Sequence, residues 1–278
     1  MDNAWNEDLV KWVELKNLVQ VGAEGSKVLM TTCSHSIAKM MGTNTSYILK
    51  GLSPKDSLSV FVKWAFKVGE EKNYPKLIEI GKEIVKKCGG LPLALRTLGS
   101  SLFLKFDSEE WMFIKDSEIW DLPKKEDDIL PALKLSYDQL PSYLKRCFAY
   151  FSLFQKDFQF FTLNVSMIWV ALGFLPPPNR GKTLEDISIQ FLHELRSRSF
   201  LQDFHEFGCG IFKLHDLVHD LALYVARDEF QLLKFPNENI SENVLHLSFI
   251  KKDLLGLTPI PTGLRTMLFP KEPTMKLS

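Results

Sequence analysis

From Pro75 onward the apolar residues recur at helical spacing, and no strand pattern returns until Ser199. Leu77, Ile80, Gly81, Ile84, Val85 and Cys88 repeat at intervals of three, four and seven, which predicts one face of a helix. Gly89-Gly90 closes that helix, and Pro92 opens another that runs through Leu102. Trp111 and Trp120 flank a third helical stretch. Ile129–Leu140 and Ser142–Leu153 form a pair split at Leu140-Pro141. Asn164–Leu172 is helical, Pro176-Pro177-Pro178 with Gly181 is a loop, and Leu184–Arg198 is helical again. Such a run excludes a fold dominated by sheets.

Two breaks in the helical pattern carry information. Ser199–Phe204 and Gly210–Leu214 are β-prone runs around a glycine-containing turn, which predicts a hairpin, and a helix follows from His215 to about Ala226. Helices followed by a two-stranded wing are the pattern of a winged-helix unit. The other break lies before Pro75. Asn6–Val19 has a helical stripe, and Gly22 and Gly25 end it. Lys27–Thr32 and Tyr47–Leu49 read as short strands, with a short helix at Ser34–Met41 between them. Ser53-Pro54-Lys55-Asp56 starts a helix to about Phe66: Ser is a good N-cap, Pro suits the first position, and Asp completes a box-like cap. This alternation predicts part of an α/β unit. The expected fold is therefore mostly α with a partial α/β unit. Beyond Phe235 the chain is irregular, with two short apolar strands at Val244–Phe249 and Leu264–Phe269.

Charge narrows the function classes. The 278 residues hold 34 basic and 34 acidic side chains, a formal net charge of zero, which argues against a nucleic-acid or anionic-membrane surface as the main role. The four cysteines are far apart and form no C-x-x-C pair, so neither a zinc site nor a redox motif is indicated and a reducing compartment fits. The chain opens without a secretory pattern. Its most apolar run, Cys147–Phe154, is too short to span a bilayer. The expectation is a soluble, cytoplasmic protein.

Five strings then stand in one order: Lys27–Ser34 (KVLMTTCS), Tyr47–Phe66 (YILKGLSPKDSLSVFVKWAF), Cys88–Leu95 (CGGLPLAL), Cys147–Phe158 (CFAYFSLFQKDF) and Leu214-His215-Asp216 within KLHDLVHDLA. The chain resembles the nucleotide-binding (NB-ARC) region of plant coiled-coil-type, leucine-rich-repeat disease-resistance receptors of the RGA-like kind. In that comparison the strings stand for the strand ending Thr-Thr-Arg, the block after it, the Gly-Leu-Pro-Leu motif, a winged-helix block and the Met-His-Asp motif. Any one string is weak, but five in family order over roughly Met1 to Glu229 are specific. MDNAWNED also resembles the end of the family's acidic metal-site strand, Leu-Asp-Asp-Val-Trp.

The resemblance implies a division. Residues 1–70 correspond to the C-terminal part of the nucleotide-binding α/β domain, without its phosphate loop. Residues 71–128 correspond to the helical subdomain and 129–230 to the winged-helix subdomain. Residues 231–278 correspond to a linker leading to leucine-rich repeats, with the repeats themselves absent. It also implies ADP or ATP with Mg²⁺ as cofactor, ADP holding the receptor closed and ATP opening it. Carried over by position, Pro92 packs against adenine and His215 donates a hydrogen bond to the β-phosphate. Thr32 belongs to the cofactor-binding set, and Asp2 stands near Mg²⁺ with Asn3 at the second acidic position.

Departures from the family pattern shape the expectation. No G-x-x-x-x-G-K-[ST] loop occurs in the sequence, and Cys33 stands where the family has Arg. That loop supplies backbone N–H groups and a lysine to the phosphates, and a cysteine makes no charge-assisted contact to a γ-phosphate. The expectation is an internal piece of a defence receptor that binds ADP weakly or not at all and is not an enzyme. Protein partners are expected, among them other receptor chains or the missing receptor domains. The alternatives are a nucleotide-independent interaction module, a winged-helix nucleic-acid binder, which the neutral charge disfavours, and a non-functional gene fragment. In HDLVHD, His215 and His219 lie four apart as metal ligands would, but no third ligand is signalled. The blander reading leaves His219 partly exposed. Phe148, Tyr150, Phe151, Phe154, Phe158 and Phe160 are expected in a core, and Pro92 also reads as a simple helix-starting proline.

Overall fold

Ser53 decides where the first long helix begins. Its Oγ accepts a hydrogen bond from the Asp56 N–H at 3.2 Å, and Pro54 occupies the first helical position, where a missing N–H costs nothing. The computed structural model describes residues 13–14, 17, 22–23, 25–32, 35–40, 47–121, 131–178, 181–205, 210–226, 228–235, 238–251 and 260–270. The chain divides into two units, Met1–Lys50 and Gly51–Ser278.

In the first unit the described residues include one short helix, α1 (His35–Met40), which buries Ile37. Residues 26–32 and 47–50 form no strand. This corrects the strands expected at Lys27–Thr32 and Tyr47–Leu49. A strand exists through its ladder, and no ladder runs along these stretches. Leu29, Tyr47, Ile48 and Leu49 are accordingly exposed. The helix expected over Asn6–Val19 falls mostly outside the described residues.

The second unit begins with α2 (Pro54–Ala65), a 3-10 turn at Glu70–Asn73, α3 (Pro75–Lys87), α4 (Pro92–Ser101) and α5 (Ser108–Lys115). Their apolar stripes meet in one core that includes Phe61, Leu77, Ile84, Leu95, Leu98, Trp111 and Ile114. Gly99 lets α4 approach α2 closely: a Cβ there would stand 2.8 Å from the Phe61 carbonyl oxygen. After a 3-10 turn at Glu118–Asp121 come α6 (Pro131–Asp138), α7 (Ser142–Ala149) and a 3-10 turn at Tyr150–Leu153.

The chain continues through β1 (Phe160–Phe161), α8 (Thr162–Ala171), α9 (Leu184–Ser197), β2 (Gln202–His205), β3 (Ile211–Lys213) and α10 (Asp216–Ala226). The three strands form an antiparallel sheet in the order β1-β3-β2, with Phe160 opposite Phe212. The hairpin expected from the sequence is β2–β3; β1, two residues long, was not. The core beneath is aromatic. Phe148, Tyr150, Phe151, Phe154 and Phe160 are buried in it with Trp169 and Phe212. Edge-to-face contacts such as Phe151–Phe160, 4.9 Å between centroids, fix their angles. Helix α6 joins the two cores, giving Ala132 and Leu135 to the first and Leu133 to the second.

The last part is a small parallel sheet of β4 (Phe230–Leu233), β5 (His246–Phe249) and β6 (Thr266–Leu268), in sequence order. Phe230, His246 and Thr266 stand in register across it. Leu233, Val244, Leu247 and Phe249 form its own core.

Candidate functional site

The loop before α4 is built from backbone in contact with backbone. Gly89 and Gly90 have φ +60° and +75°. The Leu52 N–H donates to the Gly90 carbonyl at 2.9 Å, and a Cβ on Gly90 would stand 2.7 Å from the Leu52 oxygen. Only glycine meets both the conformation and the approach. The turn delivers Pro92 to the first position of α4, where it is exposed, while the next side chain, Leu93, packs on the aromatic core. An exposed pyrrolidine ring beside the free N–H groups of a helix start offers an apolar surface next to an anion-favouring one.

His215 sits immediately before α10 and caps it twice. Its carbonyl accepts from the N–H groups of Val218 (2.8 Å) and His219 (2.9 Å), and its ring Nδ1 accepts from the Leu217 N–H at 3.2 Å. A ring nitrogen that accepts carries no proton, so the proton of the neutral ring is on Nε2. Burial pushes the ring pKa below its ordinary value, as does Lys156 more weakly, against Asp216 and Asp220, which push it up. The ring is therefore a neutral donor through Nε2–H, held at a helix N-terminus. Such a ring can donate one hydrogen bond to an acceptor oxygen, while the helix N–H groups beside it are already taken.

The rest of HDLVHD is structural. His219 is buried, which corrects the expectation of partial exposure. Its Nε2 donates to the Phe154 carbonyl at 2.8 Å, and it faces the aromatic core because α10 turns that side inward. Burial lowers its pKa, against upward pushes from the Phe154 bond and Asp220. Among the described residues no group of three or more His, Cys, Asp or Glu is placed to hold a metal ion. Asp220 grips the Lys156 ammonium with both oxygens, at 2.7 and 2.9 Å. This ties α10 to the turn after Leu153, a contact that nothing in the local sequence announces.

Pro92 and His215 thus stand on the same unit. Thr32, half-buried, belongs to the Met1–Lys50 unit. Asp2, Asn3 and Cys33 lie outside the described residues. Of the groups expected around an adenine nucleotide, the described residues of the second unit thus hold His215, a neutral donor through Nε2–H, and Pro92, an exposed ring at a helix start.

Comparison with known proteins places the winged-helix part directly. The model of the disease resistance protein winged helix domain matches residues 153–222. Those residues span β1, α8, α9, the β2–β3 wing and most of α10. Disease resistance protein RGA2 of Solanum bulbocastanum is 42% identical over 252 residues, 90% of this chain and 26% of the relative. RGA4 of the same species is 47% identical over 223 residues, 80% of this chain and 22% of the relative. The chain belongs to the plant NB-LRR disease resistance proteins, among their RGA-like members. The likeness extends to Arabidopsis thaliana, where a disease resistance RPP13-like protein 1 is 36% identical over 254 residues, 90% of this chain and 24% of the relative. This NB-LRR chain spans about a quarter of the length of the curated relatives it matches. Among its described residues no helix is long and apolar enough to cross a membrane.

Proposed function

We propose that this chain is one wall of an adenine-nucleotide switch from an intracellular plant defence receptor: the helical and winged-helix side, with the remnant of an α/β domain before it. The observation that carries this is His215. Its Nδ1 is tied to the Leu217 N–H, its Nε2–H is left to donate, and it stands at the N-terminal end of α10, whose Leu217, Val218 and His219 N–H groups it already holds. In this reading the Nε2–H meets the β-phosphate of ADP and Pro92 meets the adenine. A contact available to the diphosphate state and lost in the triphosphate state biases a two-state equilibrium. The chain acts by binding and release, as a switch rather than an enzyme. The resemblance assigns Thr32 and Asp2 to the phosphate-loop domain of the family together with Mg²⁺, and this sequence contains no G-x-x-x-x-G-K-[ST] loop. The reading therefore requires weak ADP binding by the chain alone.

Titration of fluorescent ADP into the purified chain tests it. No saturation is expected at tens of micromolar. Adding a separately expressed segment that carries a G-x-x-x-x-G-K-[ST] loop is expected to create binding that His215→Ala weakens about tenfold, the worth of one hydrogen bond to a charged group. Micromolar binding by the chain alone, or reconstituted binding indifferent to His215, contradicts the proposal.

One observation favours a second reading, a nucleotide-independent docking module. Helix α8 exposes Leu163 and Met167, one turn apart on a single face. Co-purification with a full-length receptor in the absence of nucleotide, lost on Met167→Glu, would support it.

A further inference from the structure

Helix α9 ends in a way that the local backbone does not favour. The Phe200 N–H donates to the Leu195 carbonyl and the Ser199 N–H to the Arg196 carbonyl, at 3.0 and 2.9 Å. This is the paired cap that normally places glycine in the left-handed position. Here the position is held by Ser199, with φ +63° and 4% exposure. A serine in that conformation is strained, so its side chain needs a reason to be there.

The hydroxyl supplies one. Arg96 Nε of α4 donates to Ser199 Oγ at 3.0 Å, and Ser100 Oγ donates to the Arg96 carbonyl at 2.7 Å. The Ser199 and Ser100 oxygens are 2.9 Å apart. Since Ser100 has already given its proton, Ser199 is the donor between them. The bonds close a ring of one sense: Arg96 Nε–H to Ser199, Ser199 to Ser100, and Ser100 to the Arg96 carbonyl. Each bond in such a ring polarises the next. The guanidinium also stacks on Trp64 of α2, 4.7 Å from the ring centre, and among the described residues burial alone lowers its pKa, with no carboxylate pushing it up. The Arg96 guanidinium is thus held by neutral partners, the Ser199 hydroxyl from the winged-helix side and the Trp64 ring, while Ser100 bonds the Arg96 carbonyl.

We propose that Ser199 is a positioning residue that locks α4, with Pro92 at its head, to the winged-helix unit that carries His215. The proposal rests on the nucleotide reading above for its purpose, but the lock itself is independent of nucleotide. It explains why a serine stands where the cap favours glycine. The residue joins the first core, through Arg96 and Ser100 on α4, to the second, where its neighbour Phe200 is buried.

Hydrogen exchange on the full chain tests the lock. Ser199→Gly relaxes the cap and removes the hydroxyl, so the overall unfolding midpoint should hold or rise. Exchange of the α4 amides from Leu95 to Ser101 should nevertheless accelerate about tenfold, as expected for the loss of one or two hydrogen bonds, with α9 unchanged. Ser199→Ala keeps the strain and loses the hydroxyl. It should show the same acceleration in α4 and a lower midpoint. Arg96→Met should reproduce the acceleration, and combining it with Ser199→Gly should add nothing. In the reconstituted complex, Ser199→Gly should weaken ADP several-fold at unchanged stability. Unaltered α4 exchange in Ser199→Gly, or additive effects with Arg96→Met, overturns the lock. Absence of ADP binding in the unsubstituted complex overturns the nucleotide reading instead, and the exchange comparison still decides on Ser199.

Discussion

At Gly90 a backbone turn, a helix start and a contact with Leu52 share one residue. Gly90→Ala would force a Cβ into 2.7 Å from the Leu52 oxygen at φ +75°. A loss of about 2–4 kcal/mol is expected in urea unfolding, because neither backbone can yield cheaply. A midpoint equal to the parent's would contradict this. Thr97 offers the opposite case: its hydroxyl is fully buried on α4 without a hydrogen bond. Thr97→Val keeps the shape and removes the orphan group, so it should stabilise by about 1 kcal/mol in the same assay. The sequence made Gly89-Gly90 legible as a stop and Pro92 as a start, since both are local rules. It did not make Leu52 legible as their partner, or His219 as buried, because those depend on residues dozens of positions away.

Among the elements, the cap at Ser53 was the most readable, and a second cap, at Thr183, emerges only from the structure. Thr183 closes a capping box on α9, receiving the Asp186 N–H at 3.1 Å while Asp186 receives the Thr183 N–H at 2.8 Å. Those bonds, from the Thr183 backbone first and its hydroxyl second, hold the Asp186 carboxyl below the usual range. Thr183→Ala should cost about 1 kcal/mol of stability, as N-cap losses do. An unchanged melting curve would count against the cap. The wing was readable too, since β2 and β3 are β-prone runs around a turn. Harder were the strands whose existence is non-local. Lys27–Thr32 and Tyr47–Leu49 have strand-like composition and no ladder. Phe230–Leu233 entered a parallel sheet whose partner begins 16 residues later, at His246 in register with Phe230. Parallel pairing leaves no local signature, because its partner comes from across a connection.

For the whole molecule, the neutral charge conceals a pH-sensitive interior. His215, His219 and His246 all have pKa values lowered by burial from an ordinary 6.5. His246 is wedged between Phe174 and Phe230. Glu229 pushes its pKa up, and Arg146 and Arg265 push it down. Each ring binds its proton more readily when the chain is unfolded. The stability they contribute is complete above pH 6.5 and is lost as pH falls below it toward the folded values. Urea unfolding at falling pH should show this loss, and His246→Phe should flatten it; a parent stability flat from pH 7.5 to 5 would contradict the sign. The same burial keeps His215 a neutral Nε2–H donor near neutral pH, the state that the nucleotide reading needs. The most direct test is ¹⁵N-detected NMR of the His215 ring in the chain reconstituted with a phosphate-loop segment. Addition of ADP should move the Nε2 signal and leave Nδ1 near its place, while AMP, which lacks the β-phosphate, should move neither signal. Equal responses to ADP and AMP, or none to either, would contradict a direct contact between His215 and the β-phosphate.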